Sequence, residues 1–209
     1  MRKLVTEFIG TFFLVFTVGM TVLSPGAGQF APLAIGSVLA IMIFAGGHIS
    51  GGHYNPAVTL GVWLRGKASA SEAVGYWIAQ LLAGTVAALI VTALKPGLPG
   101  TALEAQMAIG AGLVAEFIFT FALVFTVLNV ATAKGTEGNS FYGWAIGFTV
   151  MTGAYAVGGV SGGSFNPAVT LGGSILHIFA WGDIWVYLLG ELLAGAAAAA
   201  VFRYLHPGE

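Results

Sequence analysis

The sequence predicts an all-α membrane protein, with six transmembrane helices plus two re-entrant half-helices laid out as an inverted repeat. Three observations carry that prediction. Apolar residues make up 57% of the 209 positions and charged residues 7%, with a mean hydropathy of +0.92. Soluble domains carry roughly a quarter charged residues, so these few charges cannot cover a globular surface and lipid must serve as solvent. Apolar windows of about 20 residues, the length that crosses a bilayer core, recur six times. Finally, the stretch Ser50-Gly51-Gly52-His53-Tyr54-Asn55-Pro56-Ala57-Val58-Thr59 returns almost letter for letter as Ser161-Gly162-Gly163-Ser164-Phe165-Asn166-Pro167-Ala168-Val169-Thr170.

The first window covers 4–23, behind Arg2 and Lys3. A basic start and an apolar run also describe a signal peptide, but Glu7 inside the run, and its echo later in the chain, mark a retained span. The second and third windows cover 32–47 and 73–94, with the first repeated stretch between them. Segment 95–106, with Pro96 and Pro99, reads as a linker. The remaining windows cover 107–130, 141–158 and 184–204, with the second repeated stretch between the last two. Both repeated stretches are too short to cross. Their helical parts, about 55–64 and 166–177, are expected to be re-entrant, since irregular backbone survives at membrane depth only where protein or a watery cavity surrounds it.

Each half begins alike. Residues 6–18 match 115–127 at ten of thirteen positions, Glu7 aligning with Glu116. Ala34-Ile35-Gly36 returns as Ala145-Ile146-Gly147, and Leu81-Leu82-Ala83-Gly84 as Leu192-Leu193-Ala194-Gly195. The halves are therefore 1–94 and 107–209. Three spans per half is odd, so the second copy runs through the membrane the other way, and such inverted repeats with broken helices place their site near the midplane. With the N-terminus inside, Arg2, Lys3, Arg65, Lys67, Lys134 and Arg203 fall on cytoplasmic segments and only Lys95 outside. That bias predicts a multi-pass protein with both termini cytoplasmic. Short loops fit a cell plasma membrane.

Within each repeated stretch, Asn is a strong helix N-cap and Pro suits the first helical position, where its missing N–H costs nothing. Asn55 and Asn166 are thus expected to open two half-helices whose positive dipole ends meet. A carboxylate at mid-span costs roughly 2.5–3.5 kcal/mol on insertion scales, so Glu7 and Glu116 each need a partner inside the bundle. One assignment is a proton relay; the other is an acceptor for loop N–H groups. Gln80 and Glu191 occupy matching places and are candidates for the same tying. His48, His53, His177 and His206 do not form a metal-ligand set. The aromatic runs 12–16 and 117–125 read as lipid-facing or packing surface. The chain contains no Cys, and its net charge of −1 argues against a nucleic-acid partner.

Two Asn-Pro-Ala motifs, each preceded by Ser-Gly-Gly, in a six-span inverted repeat with a Glu in the first span of each half, closely resemble the aquaporin or major intrinsic protein family. The resemblance covers nearly the whole chain. It implies a bundle of six tilted helices with two half-helices meeting at the centre, a homotetramer with one pore per subunit, and no cofactor or metal. It implies the Asn-Pro-Ala motifs Asn55, Pro56, Ala57 and Asn166, Pro167, Ala168 at the pore centre. Backbone carbonyls over Gly51, Gly52, His53, Tyr54 and over Gly162, Gly163, Ser164, Phe165 would replace lost hydration, and Glu7 and Glu116 would anchor the loops. His53 would sit near the cytoplasmic mouth.

One departure stands out. Where most of the family has an Arg after the second Asn-Pro-Ala, this chain has Val169. Counted without gaps, the other filter positions fall on Ile35, Ala154 and Gly163. None of the four is aromatic, cationic or able to hydrogen-bond through its side chain, unless Tyr155 or Phe148 swings in to restore a narrow ring. The chain is therefore expected to be a passive channel for water and small uncharged solutes such as glycerol, urea, ammonia or neutral metalloid hydroxides. The alternatives are a water-selective aquaporin and, remotely, a proton-coupled secondary transporter. No nucleophile and base pair or metal cluster suggests an enzyme.

Overall fold

A computed structural model of the chain describes residues 1–97 and 107–209, so most of the expected linker, 98–106, lies outside the described residues. The described residues form α1 (Arg2–Val22), α2 (Ala31–Ser50), α3 (Pro56–Leu64), α4 (Ala70–Leu94), α5 (Ile109–Thr132), α6 (Tyr142–Ser161), α7 (Pro167–Ile175) and α8 (Ile184–Leu205). Six of these are long and apolar enough to cross a membrane, and α3 and α7, of nine residues each, are not. The short pair are the expected half-helices, the second ending at Ile175 instead of 177.

Packing repeats itself between the halves. α1 lies against α4 and α2, and α5 against α8 and α6 in the same way; α2 and α6 pack on each other. Each half-helix crosses into the opposite half, α3 against α8 and α7 against α4. The apolar composition serves both sides of this bundle. Leu14, Val15, Val91, Val124, Leu128 and Phe202 are buried in the core, while Ile41, Ile78, Leu82, Ile118, Phe148 and Leu193 stay exposed on the rim, as lipid-facing residues of a helical bundle must. The aromatic runs form repeated ladders, Phe8–Phe12–Phe16 on α1 and Phe117–Phe121–Phe125 on α5, stacked at 5.8–6.4 Å.

Apart from the buried Glu7, Glu116 and Glu191, charged residues gather at helix ends. Ser69 and Glu72 form a capping box that starts α4, and Glu72 also meets Lys3 at 2.7 Å. Arg65, just after α3, pairs with Glu209 at 2.9 Å, and the same carboxylate accepts from the Lys134 backbone N–H after α5. At the other end of the bundle, Lys95 donates to the carbonyls of Met20, Leu23 and Pro25. It thus satisfies the orphan acceptors that every helix C-terminus leaves, here those of α1.

Candidate functional site

The centre of the molecule is built twice from the same parts. α2 and α6 each end in a Gly held in the left-handed region, Gly51 at φ 92° and Gly162 at φ 89°, where a side chain would be strained. An irregular segment follows, and only its last residue, Asn55 or Asn166, is extended where it enters the half-helix. Asn55 Oδ1 accepts from the Ala57 N–H at 2.8 Å and Asn166 Oδ1 from the Ala168 N–H at 2.9 Å, the N-capping that the Asn-Pro step predicts.

Just before each cap, Tyr54 (φ 47°) and Phe165 (φ 53°) also sit in the left-handed region, which costs a non-glycine residue about 1–2 kcal/mol. The glutamates hold them there. Glu7 accepts from the Ser50 hydroxyl (2.7 Å), the His53 N–H (3.0 Å), the Tyr54 N–H (2.7 Å) and Gln80 Nε2 (2.9 Å). Glu116 accepts from the Ser161 hydroxyl (2.6 Å), the Ser164 N–H (3.1 Å) and the Phe165 N–H (2.8 Å). Both carboxyl groups are fully buried and face the loops. Tyr76 and Tyr187 repeat each other too, donating to the Ser50 and Ser161 carbonyls.

Two contacts join the halves. Asn55 Nδ2 donates to the Phe165 carbonyl at 2.8 Å, and Asn166 Nδ2 donates to the Tyr54 carbonyl at 2.9 Å. One N–H of each amide is used in this exchange. The carbonyl ladder expected over 51–54 and 162–165 therefore gives up its last rung on each side to the opposite Asn, because a buried amide N–H needs an acceptor. The small residues of α4 and α8 let the half-helices come this close. A Cβ added at Gly84 would lie 2.7 Å from the Ala168 carbonyl oxygen, and one at Gly195 would lie 2.6 Å from that of Ala57.

A cavity of about 220 Å³ runs past these parts. His53, Asn55, Asn166, Gly162, Gly163 and Ser164 face it, together with Ile35, Ala154 and Val169. All four positions of the sequence-predicted ring thus line the same cavity. The other motif residues point elsewhere. Tyr54 and Phe165 bury their side chains in the bundle, and Pro56 and Pro167 line an apolar groove on the outside, with Trp77 and Leu81. Gly51 borders a second, polar cavity of about 410 Å³ with His48, Lys67, Lys134 and Glu137.

Tyr155 and Phe148 do not close the ring. Both are exposed on the outer surface, and the Tyr155 hydroxyl donates to the Gln29 carbonyl. The aromatic edge on the cavity comes from Phe179, in the segment after α7, with Ile178 beside it. Its ring lies tilted against that of Tyr187, centroids 4.8 Å apart, and fills the space left by Gly173. No sequence signal singled out Phe179, since its place follows from the fold of that segment. Leu14, Val18 and Leu123 complete the apolar wall. The four histidines are dispersed. His53 packs on Tyr76 and pairs with Thr59, His48 ends α2, His177 is exposed after α7, and His206 stacks on Phe202.

Six membrane-length helices around a cavity lined by the capping residues of two half-helices define a helical membrane channel. A family model described as Major intrinsic protein matches residues 1–202. The chain is 39% identical over 183 residues to Aquaporin TIP1-2 of Musa acuminata, covering 86% of this chain and 72% of that one. It is 37% identical to Aquaporin NIP1-4 of Oryza sativa subsp. japonica, covering 96% and 75%. Against Aquaporin-4 of Mus musculus the figures are 34%, 95% and 65%. Among solved structures, the aquaglyceroporin from Plasmodium falciparum superimposes with a TM-score of 0.77 over 98% of this chain and 94% of that one, at 24% identity; this likeness concerns the fold. The chain belongs to the major intrinsic protein family.

Proposed function

We propose that the chain is a passive, permissive channel for small uncharged solutes, glycerol, urea, ammonia or neutral metalloid hydroxides, as well as water. The observation that carries this proposal is the ring itself. Ile35, Ala154, Gly163 and Val169 all face the cavity, and none brings charge or a side-chain hydrogen bond. Without a cation or a bulky donor at that level, a solute is sorted by size and by its tolerance of an apolar wall. The polar groups lie deeper, where Asn55 and Asn166 each retain one amide N–H after the exchange with Phe165 and Tyr54. A solute oxygen accepting from both turns its own protons away, which interrupts a proton wire, and the two half-helix dipole ends repel cations. Glu7 and Glu116 are absent from the cavity wall and spend their lone pairs on loop donors, which favours passive conduction over proton-coupled transport and gives them the part of loop anchors.

The Phe179 edge on the cavity favours a second function, a water-selective channel narrowed by that ring. We further propose two halves, 1–94 and 107–209, joined by linker 95–106, in a homotetramer with one pore per subunit and no cofactor. The proposed location is the plasma membrane; the distribution of Lys and Arg supports the proposal that both termini are cytoplasmic. Stopped-flow light scattering on proteoliposomes, comparing water with glycerol and urea, tests the proposal. Conduction of the larger solutes is the expected result. Conduction of water alone would assign the narrowing to Phe179.

A further inference from the structure

Around the two buried glutamates the halves repeat each other contact for contact, with one exception. Glu7 takes a fourth donor, Gln80 Nε2, on its Oε2 at 2.9 Å. The second half has Glu191 in the place of Gln80. Glu191 Oε1 accepts from the Asn166 N–H at 2.8 Å and from the Thr170 hydroxyl at 2.9 Å. Its Oε2 is fully buried and has no hydrogen-bond partner among the described residues. In the first half Gln80 Nε2 reaches both Glu7 Oε2 and, at 3.0 Å, Thr59 Oγ1; the repeat thus sets Glu191 beside Glu116, the charged group that acts on it.

Two ionised carboxylates cannot share such a place. α3 and α7, which pack on α8, contain no ionisable side chain, and α5 offers only Glu116. On α8 itself, Tyr187 commits its hydroxyl to Ser161, and Arg203 lies about three turns away. Among the described residues, none of these elements brings a cation to the pair. We propose that Glu116 and Glu191 share one proton, with Glu191 as the neutral acid whose Oε2–H donates to Glu116. The acid then does for the second loop what the Gln80 amide does for the first. Its other oxygen holds the Asn166 backbone, so Glu191 is a positioning residue for one of the two central amides. This inference goes beyond the proposed conduction and holds whichever solute passes.

Infrared spectroscopy of the purified full-length protein at neutral pH tests it. Carboxylates at the surface are ionised there, so the expected wild-type spectrum contains a carboxylic acid C=O band from the buried pair, and Glu191→Gln removes that band. Gln reproduces one donor and one acceptor, so the melting temperature of Glu191→Gln stays near wild type while that of Glu191→Leu falls. A wild-type spectrum without the band overturns the proposal however the variants fold. A band that persists in Glu191→Gln, or a Glu191→Gln protein as unstable as Glu191→Leu, overturns it as well.

Discussion

Asn55 donates its side-chain amide to the carbonyl of Phe165 at 2.8 Å, across the boundary between the two halves of the chain. The same side chain caps α3 through its oxygen, so one residue fixes a half-helix and ties it to the opposite loop. Replacing the amide by a carboxylate keeps the cap and destroys the tie. We expect Asn55→Asp to cost about 1–3 kcal/mol, the range for a buried acceptor left without its donor. It should also raise cation conductance through the negative charge placed at mid-depth. Thermal unfolding in detergent and potassium flux from proteoliposomes measure the two effects; unchanged stability would show that the tie contributes nothing.

Glu7 supports four donors, two of them the backbone N–H groups of His53 and Tyr54. Glu7→Leu leaves the His53 and Tyr54 N–H groups buried and unpaired, each worth about 1–3 kcal/mol, while Gln80 keeps Thr59 as an acceptor. The variant is expected to be recovered poorly and to elute as aggregate on size exclusion, and Glu116→Leu likewise. A monodisperse Glu7→Leu protein would refute the anchoring role.

Val169→Arg places a guanidinium against the cavity that Ile35, Ala154 and Gly163 share. It both fills space and demands hydrogen-bonding partners of any solute at that level. Glycerol and urea permeability should fall at least about tenfold, corresponding to about 1.4 kcal/mol on the barrier, while water flux persists. Equal losses for all three would instead mean that the arginine plugs or misfolds the channel.

Two glycines of the same chain should respond oppositely. Gly195→Val drives a side chain into the Ala57 carbonyl, and overpacking of this kind costs about 1–3 kcal/mol or more. Gly159, on α6, has open space where its Cβ would go, so Gly159→Ala should melt no lower than wild type. Differential scanning fluorimetry on both variants compares them directly.

The six spans, the half-helices and the need of Glu7 and Glu116 for buried partners were legible in the sequence because each rests on a local signal; loop anchoring was what the family resemblance implied. Apolar length marks a span, an Asn-Pro step marks a capped start, and a carboxylate in an apolar run demands a partner. The ring of Ile35, Ala154, Gly163 and Val169 was reached through the family resemblance, and these residues line one cavity. What was not legible depends on contacts between distant parts of the chain. Periodicity says nothing of the exchange between Asn55 and Phe165, or of Lys95 folding over the end of α1. Phe179 reaches the cavity because the segment after α7 folds back, whereas Tyr155 and Phe148, which looked eligible by position, sit on helix faces that turn outward. The second half-helix, α7, also ends earlier than its pattern suggested, and His177 takes a left-handed backbone, φ 56°, just beyond it.

The approach of Gly84 to Ala168 and of Gly195 to Ala57 has a mechanical meaning. At both points backbone meets backbone with no side chain between to act as a cushion, and close-packed protein has low compressibility. Swelling of the enclosing compartment stretches the bilayer and pulls on the outer helices, but the pinned midplane has no soft element through which to widen. The bore at the two asparagines should therefore hold its diameter under tension, and any response to osmotic stress belongs to the two mouths.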